Sequence, residues 1–216
     1  MYKLVIFDLD GTLVNSIFDL GDSVNAVLEA HGLMTYGYED YKHFVGNGTR
    51  KLIERVLPQD MRDDETIDSF HQQFAMQYQK HCLDKTRPYE GIPAVLDKLR
   101  QLGIKTAVAS NKPDEFSRFI VKNIFGDGCF DIVIGKREDR PTKPDPAIIN
   151  DILTALDTDP SQAVIAGDSD VDVFTAHNAG LKCIGCEWGF RGRQELENAG
   201  ADFIIGSPEE MTALII

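Results

Sequence analysis

The stretch KLVIFDLDGTLV, Lys3 to Val14, leaves few options for the chain that contains it. Its apolar run stops abruptly at Asp8 and Asp10, and Gly11 and Thr12 then turn the backbone away. A short hydrophobic run closed by a turn signal predicts a buried strand. In an open parallel sheet, ligands sit beyond the carboxyl ends of the strands, and Asp8 and Asp10 fall at such an end. Two carboxylates this close repel, which raises the pKa of one of them unless a cation lies between. Hard oxygen ligands suit Mg2+, which takes one or two carboxylates and keeps several waters. An Asp beside such a cation can attack phosphorus while its neighbour moves protons. The competing interpretation is a plain turn with two solvated Asp, because Asp and Gly are ordinary turn formers. A calcium loop fits worse: counted from Asp8, the position that needs glycine holds Leu13, and the final ligand position holds Asp19 instead of Glu.

With 216 residues, 43% of them hydrophobic, the chain can bury one substantial core and carry a smaller insertion. A formal net charge of -13 disfavours nucleic acid or an anionic membrane as partner. A phosphorylated substrate therefore needs local cations of its own. The N-terminus lacks a signal-peptide pattern and no apolar run approaches membrane-spanning length, so a cytoplasmic protein is expected. Cys82, Cys129, Cys183 and Cys186 give no disulfide framework. Cys183 and Cys186 form a C-x-x-C, but inside the apolar LKCIGCEWG and without a second Cys/His pair to complete a zinc site. Reduced thiols in a strand are the expectation.

After the first strand, Ile17, Leu20, Val24, Val27 and Leu28 recur at helical spacing up to Gly32. Further helices are expected over Thr49 to Leu57, after the turn-prone Gly46-Asn47-Gly48, and over Glu65 to Leu83. No strand pattern interrupts this interval. It reads as an all-helical unit, residues 16–86, inserted into a core made of 1–15 and 87–216. RPYEGIP, Arg87 to Pro93, suits a linker or hinge. Helix and strand then alternate: helices over Ala94 to Leu102, Asp114 to Ile124, Ala147 to Leu156 and Val171 to Ala179, strands over Ile104 to Ala109, Phe130 to Ile134, Ala163 to Ala166, Leu181 to Cys186 and Phe203 to Ile205. Ser207, Pro208 and Glu210 supply N-cap, N1 and N3 of a last helix. Such alternation implies an α/β fold with a doubly wound parallel sheet whose strand ends share one edge.

Three of those ends carry polar chemistry. The second strand is expected to end at Ser110-Asn111-Lys112, whose hydroxyl and amide can hold phosphate oxygens or simply cap a helix. Lys143, in T-K-P-D-P, sits on a proline-stiffened loop; it can reach a phosphate as a point charge, or stand solvated. The fourth strand ends in Ala166-Gly167-Asp168-Ser169-Asp170-Val171-Asp172. Asp168 occupies a strand end as Asp8 does, and Asp172 shares its helical face if the turn has begun, as ligand or support.

Taken in order, D-x-D-G-T, Ser-Asn, Lys before Pro, and G-D-S-x-x-D resemble the four motifs of haloacid dehalogenase-like hydrolases, over essentially the whole chain. The helical insertion looks like the C1 cap of their subfamily I. V-N-S with Asp19 downstream, F-V-G-N-G, R-P-Y-x-G and W-G-F-R-G-R are similar to phosphoglycolate phosphatases and their pyrophosphatase relatives, although Asn15 stands where many relatives carry Asp. The resemblance implies a Rossmann-like sheet of order 5-4-1-2-3. It implies Asp8 as nucleophile forming an aspartyl-phosphate, and Asp10 as general acid and base. Mg2+ would be held by Asp8, the main-chain carbonyl of Asp10, and Asp168, supported by Asp172 and Thr12. Ser110, Asn111, Lys143 and Gly11 would bind the phosphoryl group, and Gly46, Asn47, Gly48 and Arg50 would select the substrate from the cap.

The expected activity is Mg2+-dependent hydrolysis of a small phosphorylated metabolite, phosphoglycolate foremost, by a monomer or homodimer. The alternatives are a phosphosugar mutase of the β-phosphoglucomutase type, an inorganic pyrophosphatase and a silent binding module. Intact Asp8, Asp10, Lys143 and Asp168 argue against the last.

Overall fold

The computed structural model describes residues 2–215, which form two compact units: the chain up to Asn15 together with Pro88 onwards, and Ser16–Arg87. The first unit begins with β1 (Leu4–Phe7) and β2 (Val14–Asn15). The second holds α1 (Ile17–Ala30), α2 (Tyr38–Phe44), α3 (Thr49–Val56) and α4 (Asp64–His81). The chain continues through β3 (Arg87–Pro88), α5 (Ile92–Gln101), β4 (Lys105–Pro113), α6 (Asp114–Phe125), β5 (Ile132–Lys136), α7 (Ala147–Ala155), β6 (Ala163–Gly167), α8 (Asp170–Asn178), β7 (Lys182–Cys186), α9 (Gly192–Ala199), β8 (Phe203–Ile205) and α10 (Met211–Ile215).

Six strands form one parallel sheet in the order β5-β4-β1-β6-β7-β8, and β2 pairs with β3 as a separate short ribbon. The expected order therefore holds, extended by β8 at one edge. β1 is LVIF with every residue buried, because β4 and β6 cover its two edges and the chain's apolar helices its faces. Leu4, Ile6, Ile165, Ile149 and Ile152 meet in the core on one side of this sheet. The register sets the functional edge: Phe7 lies opposite Val108 of β4 and Ala166 of β6, so the residues that follow leave the sheet side by side.

β4 differs from expectation. It runs four residues past Ala109, through Ser110, Asn111 and Lys112 to Pro113, with a shift of register against β5 after Ala109. Hydrophobicity ends at Ala109, yet burial does not: Ser110, Asn111 and Lys112 all stay buried. Polar partners replace apolar ones there, so apolar patterning marks the strand's end too early. The same reasoning explains α2 and α9, neither of which the sequence signals. Each buries a single residue, Tyr41 and Leu196 respectively, and so shows no apolar period. At the C-terminus Ser207 and Glu210 do form the expected capping box, over a short 3-10 turn that leads into α10. The four cysteines are free thiols. Among the described residues, no helix is long and apolar enough to cross a membrane.

In the helical unit, α1 packs on α4 and α2, and α3 on α4 and α2. Ile67, Phe70, Phe74 and Tyr78 form the buried stripe of α4, with the Phe74 and Tyr78 rings stacked at 5.4 Å. The unit's buried charge is Asp19 on α1. Its Oδ2 accepts from the Lys85 N–H (3.0 Å), the Thr86 N–H (2.8 Å) and the Thr86 hydroxyl (2.7 Å), and its Oδ1 from the Lys85 N–H (2.9 Å). One carboxylate thus ties the far end of the unit's chain to its first helix. Replacing it strands buried donors, each costing about 1–3 kcal/mol. Asp19→Ala should accordingly lower stability by about 2 kcal/mol, read as a reduced urea midpoint at unchanged m-value; a wild-type midpoint would contradict this role.

Candidate active site

Asp8 is the first residue beyond β1 and is held there by its N–H, which donates to the Ala166 carbonyl at 2.9 Å. From the loop before α7, Lys143 reaches it across the sheet edge. The Lys143 ammonium donates to Asp8 Oδ1 (2.7 Å), to Asp172 Oδ1 (2.7 Å) and to the Ala109 carbonyl (2.9 Å). This lysine is buried, not solvated. Its backbone is fixed by Asn111: the Lys143 N–H donates to Asn111 Oδ1 (2.9 Å) and the Asn111 amide donates to the Lys143 carbonyl (3.1 Å). Asn111 therefore places the lysine as well as standing at the edge.

Asp172 arrives by a different route from the one its spacing suggests. Helix α8 starts only at Asp170, so Asp168 precedes it and the two do not share a helical face. Instead Ser169 is the N-cap and Asp172 the N3 residue of a capping box, with Asp172 Oδ2 accepting from the Ser169 N–H (3.2 Å) and hydroxyl (2.7 Å). That leaves Oδ1 for Lys143 and makes Asp172 a support of the lysine.

Asp10 lies two residues past Asp8 and is bound by a residue that no sequence motif marks as functional. The Lys112 ammonium, buried at the end of β4, donates to both Asp10 carboxylate oxygens, at 2.9 and 3.1 Å. Ser110 Oγ accepts from the Lys112 N–H (3.2 Å) and so shapes the same bend. Asp168 is cradled differently. Its Oδ1 accepts from the Thr12 hydroxyl (3.3 Å) and its Oδ2 from the Phe190 N–H (2.7 Å). Gly11, with φ of 94°, presses on the same carboxyl: a Cβ there would lie 2.6 Å from Asp168 Cγ. No other residue type can turn the chain at this point.

Asp8, Asp168 and Asp172 each offer an oxygen within 4.8 Å of the other two. Three carboxylates thus face one ammonium, and the site is short of positive charge. Burial raises Asp8 from 3.8 to about 7, with Lys143 opposing and Asp172 and Asp10 adding to the rise. Burial, then Asp172 and Asp8, push Asp168 well above the usual carboxylate range, against the pull of Phe190 and Thr12. Burial also works against the charge of Lys143, but Asp172 and Asp8 outweigh it and raise its pKa. A hard divalent cation matches this oxygen-only donor set and would supply the missing charge. The residues present fit such an ion.

The remaining expected residues lie in the helical unit. Gly46, Asn47 and Gly48 form the turn between α2 and α3, where Asn47 Oδ1 accepts from Arg55 (2.6 Å). Arg50, in the first turn of α3, pairs with Asp64 (2.6 Å) and Asp68 (2.7 Å) of α4.

Residues 5–186 match the model of the haloacid dehalogenase-like hydrolases, and the chain belongs to that family. It is 36% identical over 200 residues to a phosphoglycolate phosphatase of Psychrobacter arcticus, covering 90% of this chain and 87% of that one. A phosphoglycolate phosphatase of Aquifex aeolicus is 31% identical over 217 residues, covering 99% and 96%. A crystal structure from Lactobacillus delbrueckii subsp. bulgaricus superposes with a TM-score of 0.94 at 30% identity, covering 100% of this chain and 98% of that one.

The raised pKa of Asp8 has a thermodynamic consequence for the metal-free protein. The unfolded chain ionises this group near 3.8 while the folded one keeps its proton to about 7. The stabilisation is complete below the lower value and is lost as pH rises through the upper one. Melting temperature in chelator should therefore fall from about pH 4 to pH 7 more steeply for the wild type than for Asp8→Asn. Parallel profiles would show that Asp8 is not the group responsible.

Proposed function

We propose that this hydrolase is a Mg2+-dependent phosphatase that cleaves a small phosphoric monoester, phosphoglycolate foremost, through an aspartyl-phosphate on Asp8. The observation that carries the reading is the convergence of Asp8, Lys143, Asp168 and Asp172 on one sheet edge, with Asp10 beside them. The relatives named above support phosphoglycolate as the substrate.

Lys143 occupies Asp8 Oδ1, so the second carboxylate oxygen is the one to attack phosphorus. The P–O bond to the leaving group breaks as the Asp8–phosphorus bond forms, and Asp10 gives its proton to the departing oxygen. Lys112 then balances the carboxylate left on Asp10. In the second half Asp10 takes a proton from water, whose oxygen attacks phosphorus and releases Asp8 with inorganic phosphate. Lys143, Ser110 and the amide of Asn111 hold the phosphoryl oxygens. Asp8, the Asp10 carbonyl and Asp168 would hold Mg2+, which would draw off the charge that builds on the phosphoryl group in the transition state. Substrate selection we assign to Gly46, Asn47, Gly48 and Arg50. Arg50, pinned by Asp64 and Asp68, would present its guanidinium in a fixed direction.

Phosphate release should be assayed over a panel of phosphorylated metabolites with Mg2+ and with chelator. Phosphoglycolate should lead the panel, and chelator should abolish turnover. Asp8→Asn should be inactive while folding normally. Asp10→Asn should lose about 10²–10⁴-fold in kcat. Isomerisation of a sugar phosphate without phosphate release would select a mutase instead, and full activity of Asp8→Asn would remove the nucleophile.

A further inference from the structure

The loop between β7 and α9 has no part in the chemistry described above, yet three successive residues of it touch the metal side of the site. Trp188 donates its indole N–H to the Thr12 carbonyl at 3.1 Å, which ties the loop to the turn after Asp10. Gly189 packs so closely that a Cβ there would lie 2.5 Å from the Gly11 carbonyl oxygen and 2.6 Å from Asp168 Cγ. Phe190 contributes its main-chain N–H, 2.7 Å from Asp168 Oδ2. The loop is itself anchored from behind: the Glu187 N–H donates to the Ile205 carbonyl (3.0 Å), and Arg193 pairs with the Glu187 carboxylate (2.8 Å).

We propose that Trp188, Gly189 and Phe190 form a clamp that holds Asp168 and the Gly11-Thr12 turn in metal-binding geometry, so that these residues set the protein's affinity for its divalent ion. The proposal rests on Asp168 being a metal ligand. A carboxylate on a single Cβ can rotate, and a rotated Asp168 would no longer aim an oxygen toward Asp8. Here Phe190 binds one oxygen and Thr12 the other, while Gly11 and Gly189 both approach the same side chain so closely that neither could carry a Cβ. Thr12 can do so only where its own backbone stands, and Trp188 fixes that. Outer partners that orient a metal-binding carboxylate in this way are worth about 10–100-fold in metal affinity.

The test is Mn2+ binding, followed by paramagnetic resonance, to the wild type and to Asp168→Ala, Gly189→Ala and Trp188→Phe. Trp188→Phe keeps an aromatic ring and removes the indole donor, so it decides the matter if Gly189→Ala fails to fold. Both clamp variants should bind Mn2+ about 10–100-fold more weakly, and kcat should return towards wild type at saturating metal, which general packing damage would not allow. A folded Trp188→Phe with wild-type affinity overturns the clamp. If Asp168→Ala binds Mn2+ weakly while both clamp variants bind normally, the clamp fails and the metal site stands. If Asp168→Ala also binds normally, the assignment of Asp168 fails and the clamp with it.

Discussion

Lys143 gives all three of its ammonium donors to the protein: one to Asp8, one to Asp172 and one to the Ala109 carbonyl. A buried ammonium is costly unless each donor is used, and a lone buried carboxylate is no cheaper. The three bonds meet both requirements at once and bind β1, β4 and α8 to one point. A compact point charge is needed for this; a guanidinium would present a planar fork to acceptors that converge from three directions. Removing the lysine would leave Asp8 and Asp172 facing each other unpaired, a loss on the order of 3–5 kcal/mol for a broken buried pair. The position of Asp8 is thus inseparable from the packing of the sheet edge.

That edge is a product of register. Because Phe7 lies level with Val108 and Ala166, each strand's next residue emerges at the same height. Parallel pairing alone then brings Asp8 and Asp168 together, though 160 positions separate them in the chain. This part of the site is legible in the sequence, since each strand is an apolar run with a carboxylate at its end. The lysines are less so. Lys143, read locally, is a loop lysine that water would suit, and only its partner 135 residues away makes it a buried one. Lys112 is paired with Asp10 across 102 residues, and no local pattern signals such a pair. Its burial also explains why β4 outlasts its own hydrophobicity. The tripeptide at 188–190 stands out in the sequence only as part of W-G-F-R-G-R; what Phe190 contributes is a main-chain N–H, which has no residue-type signature.

The protein's overall charge and its local charges act over different ranges. At -13 the chain repels an anionic phosphate ester as it approaches, although at physiological salt that field is screened beyond about 8 Å. Inside the site the charged side chains are largely buried and screening is weak. There Lys143 and Lys112 stand 2.7 to 3.1 Å from Asp8, Asp172 and Asp10, so that two ammonium groups are already engaged by three carboxylates. A dianionic phosphoryl group therefore meets little free positive charge unless a divalent ion is also bound. Under the proposed function Asp168, held by Thr12 and Phe190 and not by a lysine, would be the carboxylate left to attract that ion. Lys143 would meet the phosphoryl group with an ammonium that Asp8 and Asp172 already share, and a divalent ion would supply the charge that this shared lysine cannot.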